Sequence, residues 1–295
     1  MPDGILIIDK PADWTSMDVC AKLRGVFNEK RIGHGGTLDP MATGVLPVFI
    51  GRATRAVEFA EKGDKEYLAL LRLGVVTDTQ DSSGRVRSQQ PVTCSRQELE
   101  AVLPRFTGEI QQVPPMYSAV KINGQKLYQL ARKGREVERP ARTVTIYALE
   151  LLESSAPNEY QLRVRCSKGT YIRTLCHDIG QALGCGAVMA ALRRTMACSF
   201  SISEAIALEQ VLAAETPEAL LRPVDTLFSD YPGLSLSPAA EKKVRNGAQI
   251  SAPGALSSGT YRLYGTDGTF LALSRCDGQK LVTIKSFFNT QVQVN

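Results

Sequence analysis

The 295-residue chain predicts an α+β protein ending in a small β-rich module. Strand-like and helical stretches alternate without the strict βαβ rhythm of a doubly wound parallel sheet. Near the C-terminal end, YRLYG-TDG-TFLALSRC-DG-QKLVTIKSFF reads as short strands separated by Asp-Gly turns, a β-meander. Between the two regions lies the breaker Tyr231-Pro232-Gly233, which sets a boundary near Gly233 and divides the chain into 1–232 and 233–295. With 43% hydrophobic and 22% charged residues, the composition suits a sizeable core rather than bulk disorder.

The elements follow in order. Ile5–Ile8 is a short buried strand broken at Lys10-Pro11, and Thr15 or Ser16 caps a helix reaching about Phe27. A glycine-rich loop comes next. Glu66–Leu73 is a strand, and TDTQDSSGR behind it a polar loop. Ser95 opens a helix with Glu98 at capping-box spacing. Asn123-Gly124 is a turn, and Lys126–Lys133 a short helix stopped by Gly134. VTIYALELLES and YQLRVRCS are two strands joined across 156–159. Thr170–Leu183 carries Ile172, Leu175, Ile179 and Leu183 at helical spacing.

Composition removes several function classes. The N-terminus lacks a basic n-region and no apolar run reaches membrane-spanning length, so a soluble, cytoplasmic protein is expected. Seven scattered cysteines without a CxxC pair suit a reducing compartment. With only two histidines, His34 and His177, a zinc site would need an unusual ligand set, which disfavours metal catalysis. The formal net charge of +5 is concentrated. From Ser118 to Thr145, Lys121, Lys126, Arg132, Lys133, Arg135, Arg139 and Arg142 outweigh Glu136 and Glu138 by the whole chain's excess. Such a segment suits a phosphate backbone, and equally a merely solvated charged face.

The stretch GHGGTLDPMATGVL, residues 33–46, places one carboxylate, Asp39, directly before a proline. A residue before proline is pushed out of the α region, so Asp39 sits extended ahead of a short turn. As a helix N-cap with Pro40 at the first helical position it needs no function. That reading leaves Gly33, Gly35 and Gly36 unexplained; a loop bare of side chains on one flank resembles a pocket floor. Nucleotide cofactor binding has weak support: no GxxxxGK[ST] occurs, and Gly184-Cys185-Gly186 lacks the third glycine of a dinucleotide fingerprint.

GILIIDKPADWTSMD, GHGGTLDPMATGVL, KEYLALLRLG, PPMYSAVKINGQKLYQLARKG and VRCSKGTYIRTLCHDIG occur in this order, followed by ALRRT. The set resembles the TruB family of tRNA pseudouridine synthases and spans roughly residues 3–230. One departure is Asp13-Trp14, where the family commonly has a glycine before Thr-Ser. The resemblance implies a mixed, largely antiparallel sheet flanked by helices, making 1–232 a catalytic domain and 233–295 a PUA-like RNA-binding domain. It implies isomerisation of uridine 55 in the tRNA T arm to pseudouridine, with no cofactor and no metal. Asp39 becomes the essential residue, whether as nucleophile toward sugar or base or as a proton acceptor. Arg173 pairs with it. Tyr67 stacks on the target uracil, Tyr171 and Leu192 line the pocket, and His34 stands beside the flipped nucleotide. Lys10, Lys121 and the basic segment 110–145 hold phosphates. The implied partner is the T-arm stem-loop, engaged by a monomer without a membrane. Two rivals remain at this level: a tRNA-binding or tRNA-folding protein without turnover, and a hydrolase of glycosidic bonds, for which paired carboxylates are expected.

Overall fold

The computed structural model describes residues 2–153, 156–254 and 256–288. Its frame is a ten-stranded mixed sheet. The main path runs Ile206–Ala207, Gly4–Lys10, Thr43–Ile50, Ala187–Ala197, Lys65–Leu73, Glu159–Cys166, Arg142–Leu151, Gly108–Gln112. Neighbours along it are antiparallel except at two places. Ile206–Ala207 lies parallel to Gly4–Lys10, and Ala187–Ala197 runs parallel to Thr43–Ile50. Because most neighbouring strands pair antiparallel, without a repeating parallel βαβ unit, the α+β expectation holds.

Local chemistry accounts for the elements. Thr15 caps the helix Ser16–Phe27 and Asp18 reaches back to close a capping box. Ser95 and Glu98 do the same for Arg96–Val102. Asn123 and Gly124, both at positive φ, turn the small hairpin of Lys121–Ile122 and Gln125–Lys126. The short helix is Leu127–Ala131, and the strands flanking 156–159 are Arg142–Leu151 and Glu159–Cys166. Ser154, the last residue of the expected strand VTIYALELLES, lies outside the described residues, as do 289–295 of the C-terminal module.

Gly4–Lys10 reads as an unbroken apolar run because both its faces are covered. Leu6 and Ile8 pack with Val19, Leu23, Leu46 and Val48 beneath the helix Ser16–Phe27. Ile5 and Ile7 face the other way, with Val45, Phe49, Phe228 and Phe287. A third cluster joins Tyr67, Ala69 and Leu71 to Leu175, Cys176 and Ile179 on the helix Ile172–Ala182. That helix starts close to the Asp39 loop, which its Arg173 reaches. A five-stranded sheet between Gly233 and Ser286 has its own core around Leu236, Val244, Leu263 and Leu281. Phe270 and Phe287 from this sheet stack at 5.1 Å and meet Phe228 at 6.1 and 5.8 Å, which locks it against the larger one. No helix among the described residues is long and apolar enough to cross a membrane.

Buried cations tie irregular backbone to this frame. Lys65 sets its ammonium on the carbonyls of Glu61 and Gly63, at 2.7 and 2.5 Å, at the end of the helix Val57–Lys62. Arg194, 1% exposed, donates to the carbonyls of Val45 at 2.7 Å, Gly36 at 3.1 Å and Thr37 at 3.5 Å. Gly44, at φ +101°, lies directly against Arg194; a Cβ there would stand 2.2 Å from the Arg194 carbonyl. Asp13 adopts φ +65°, the left-handed conformation that a glycine takes without strain, at the position where the family pattern has glycine. Its N–H bonds the Pro40 carbonyl at 2.9 Å, so the departure from pattern keeps the turn.

Truncating Arg194 leaves three carbonyls short of a buried donor. Arg194→Met is expected to lower the unfolding free energy by about 3–5 kcal/mol, the range for breaking a buried charged network. Urea denaturation measures it; a loss under about 1 kcal/mol, typical of surface positions, would refute the stapling role.

Candidate active site

Asp39 lies between the strands Ile32–His34 and Thr43–Ile50. No helix follows it. The Asp39 carbonyl accepts from the Ala42 N–H at 3.0 Å, closing a turn with Pro40 at its first corner that runs straight into the next strand. The helix-cap alternative is therefore wrong for this carboxylate, whose side chain is engaged elsewhere. Arg173, near the start of the helix Ile172–Ala182, places Nη2 at 3.3 and 3.2 Å from the two Asp39 oxygens. The same nitrogen donates to the Tyr117 carbonyl at 2.9 Å. Nη1 lies 3.4 Å from Oδ2 of Asp81.

One guanidinium thus serves two carboxylates with different surroundings. Asp81, its side chain 4% exposed, is caged: Oδ1 accepts from the Thr79 and Ser83 hydroxyls at 2.7 and 2.5 Å and from the Ser83 N–H at 3.0 Å. Asp39 keeps 34% of its side chain exposed and is the carboxylate a substrate can reach. Burial pushes its carboxyl above the ordinary aspartate range; Arg173 draws it back down, Asp81 adds to the rise and Lys10 opposes it. Arg173 therefore offsets a desolvation cost without reversing it.

The loop around Asp39 is held from beneath. Lys10, fully buried, donates to the carbonyls of Pro11, Trp14 and Pro40 at 2.7, 2.6 and 3.1 Å. All three of its N–H bonds are spent on backbone, and burial lowers its pKa to about 8. The expectation that Lys10 holds a phosphate is corrected: it pins the Asp39-Pro40 turn. The glycines also look inward. A Cβ on Gly35 would meet Ala60 at 2.8 Å and Phe49 at 3.0 Å, and Gly36, at φ +117°, sits over Arg194 and Lys65. Their bareness serves packing rather than the floor of a pocket.

The remaining expected residues distribute unevenly. Tyr67 is buried beside its ladder partner Arg194, and burial raises its hydroxyl pKa while the guanidinium opposes the rise. Asp39 is close enough to add to that rise. Leu192 shares the Tyr67 cluster, along with Leu38 and Ala42 of the Asp39 loop. Tyr171, half-buried, stands at the N-cap of the Arg173 helix. His34 is half-buried on its strand, with Nδ1 lacking a hydrogen-bond partner; burial lowers its pKa, which favours the neutral ring at pH 7. Lys121 is exposed on the 121–126 hairpin, opposite Lys126.

Sequence reasoning missed Asp81, Gln112, Arg194 and the Tyr117 carbonyl. Asp81 left one faint signal, hydroxyl residues two positions to either side of an acid. Arg194 lay inside a quoted motif, and its burial shows only once the strands pair.

An accessible carboxylate gripped by an arginine, beside a tyrosine on a mixed sheet flanked by helices, defines an enzyme of the pseudouridine synthase class. Comparison with known proteins agrees. Residues 24–172 match the model of the TruB family pseudouridylate synthase N-terminal domain. Residues 173–229 match that of the tRNA pseudouridylate synthase B C-terminal domain. A tRNA pseudouridine synthase B from Syntrophomonas wolfei is 46% identical, covering 95% of this chain and 96% of that protein. One from Francisella tularensis subsp. novicida is 43% identical over 99% and 97%. In a solved Cbf5-Nop10-Gar1 complex, a chain superimposes with a TM-score of 0.74 at 28% identity, covering 97% of this chain and 85% of that one. The chain belongs to the TruB family of pseudouridine synthases.

The Asp39 environment sets a pH dependence. A raised carboxyl pKa means that activity needing the carboxylate declines as pH falls through a value above the ordinary aspartate range. Arg173 is the strongest influence opposing the rise, so Arg173→Ala should move the acid limb of the kcat/KM profile to higher pH. A limb that stays in place or moves down would show that Arg173 does not act on Asp39.

Proposed function

We propose that the protein isomerises a uridine of tRNA to pseudouridine, acting on position 55 in the T arm. The observation that carries this reading is the 3.2 Å contact between Arg173 and the part-exposed Asp39. The reaction conserves mass: the bond from C1′ to N1 breaks, one from C1′ to C5 forms, C5 loses a proton and N1 gains one. Attack on the sugar, attack on the base and proton abstraction all draw on the same ionised oxygen pair. Arg173 orients that pair and offsets part of the desolvation cost.

A uridine stacked inside the folded T loop has to leave its stack before C1′ meets Asp39. Leu192 and Tyr171 suit the walls of a receiving pocket, and Tyr67 a face for the uracil. His34, neutral and with an unpaired Nδ1, suits the space left beside the everted nucleotide. The insertion between Gly108–Gln112 and Arg142–Leu151 carries the basic segment within 110–145, with Tyr128 set between Lys126 and Arg132 at 5.7 and 5.4 Å. Cations interleaved with an aromatic ring fit an RNA backbone. The module 233–295 presents Lys242, Lys243 and Arg245 on the helix Pro238–Arg245 and serves as a second RNA contact. The protein works as a cytoplasmic monomer on this reading.

The second carboxylate bears on the hydrolase alternative. Asp81 is near Asp39 but spends its oxygens on Thr79, Ser83 and Arg173, so it is unsuited to activate a water.

Asp39→Asn should reduce pseudouridine formation on unmodified tRNA by at least about 10³-fold, within the range for removing an essential base or nucleophile. Retained turnover would remove Asp39 from the mechanism. Neutralising Lys121, Arg132 and Lys133 together should weaken tRNA binding and flatten its dependence on salt, by a slope of about 0.7–0.9 per lost phosphate contact. An unchanged slope in a filter-binding titration would remove the insertion from the RNA interface.

A further inference from the structure

We infer that Gln112 is a positioning residue for the reaction, its side-chain amide fixing the start of the helix that holds Arg173 against Asp39. Gln112 ends the strand Gly108–Gln112 and is 2% exposed. Its Oε1 accepts from the Tyr171 N–H at 2.8 Å and its Nε2 donates to the Tyr171 carbonyl at 3.1 Å. This two-point pairing reproduces, through a side chain, the contact that a neighbouring strand would make. It is directional: turning the amide over would set N–H against N–H and oxygen against oxygen.

Tyr171 needs such a partner. It is the N-cap of the helix Ile172–Ala182, its own side chain makes no capping bond, and its carbonyl also receives the Leu175 N–H at 3.0 Å. The four leading N–H groups of a helix lack partners within it, so the start of this helix depends on outside contacts. Gln112 is itself anchored, as the ladder partner of Arg142. The amide therefore bolts the N-terminus of the helix to the sheet two residues before Arg173.

The contacts downstream are sensitive to displacement. Arg173 meets Asp39 at 3.2–3.3 Å and Asp81 at 3.4 Å, longer than the 2.7–2.9 Å usual between charged partners. Little slack remains before these contacts open. Gln112 also stands at the root of the basic insertion, whose Tyr117 carbonyl binds the same guanidinium at 2.9 Å. Root and carbonyl together join the RNA-gripping segment to the catalytic pair at two points.

The inference rests on the pseudouridine synthase reading, and its test separates the two. The parent enzyme is assayed first on unmodified tRNA; failure to form pseudouridine defeats that reading, whatever Gln112 does. Given an active parent, Gln112→Met preserves length and volume and removes both hydrogen bonds. Expected results are a fall in kcat of about 10²-fold, the scale of an ångström misplacement, unchanged tRNA affinity, and an acid limb moved to higher pH as in Arg173→Ala. In an Arg173→Ala background, Gln112→Met should lower kcat no further. A folded Gln112→Met enzyme with parental kcat and acid limb, or effects that multiply fully in the double variant, would overturn the inference. If Gln112→Met does not fold, Gln112→Asn, which stays neutral and draws the amide back by one methylene, carries the same comparison with the same deciding outcomes.

Discussion

The site depends on one guanidinium shared by two unequal carboxylates. Arg173 is buried and cannot give up its charge, so the residues around it must supply anions and acceptors. Asp81 is the structural share of that debt: enclosed by hydroxyls and withheld from solvent. Asp39 is the chemical share, close enough to Arg173 to be oriented and open enough to meet a substrate. Asp81 raises the Asp39 pKa and Arg173 lowers it, while the part of the Asp39 side chain that stays exposed limits its desolvation. This division explains how a protein can keep a carboxylate both partly desolvated and reactive.

The rest of the molecule holds that geometry by stapling irregular backbone. Lys10 gathers three carbonyls around the Asp39 turn, and Arg194 gathers three more from the preceding loop and the following strand. Each places a cation where the chain makes turns that no ladder satisfies. A buried carbonyl without a donor costs about 1–3 kcal/mol, so these side chains do for the loop what hydrogen bonding along a ladder does for a strand. The glycines complete the arrangement by admitting Ala60, Phe49 and the Arg194 backbone into contact. Asp13 shows the tolerance of the scheme, since an aspartate accepts the left-handed turn and preserves its bond to Pro40.

The basic insertion and the Asp39–Arg173 pair meet at the root of that insertion. The segment that brings cations to the surface begins one residue after Gln112, whose amide contacts the backbone of Tyr171, and contributes the Tyr117 carbonyl to Arg173. A basic surface is thereby connected, through Arg173, to the orientation of the Asp39 carboxylate.

By itself, the sequence determined what depends on neighbours along the chain. Thr15 and Ser95 open helices with capping boxes, Asn123-Gly124 makes its hairpin, and apolar spacing sets the helix that begins at Ile172. The ordered motifs also identified the family and with it Asp39 and Arg173, although 134 residues separate the two. Tertiary structure alone decided which polar groups share an environment. Asp81 reaches Arg173 across 92 residues and Gln112 reaches Tyr171 across 59, and no period or local propensity encodes either meeting. Lys10 shows the same limit from the other side. The resemblance makes Lys10 a phosphate ligand, but folding brings three carbonyls to it, because charge belongs to the residue and solvation belongs to the fold.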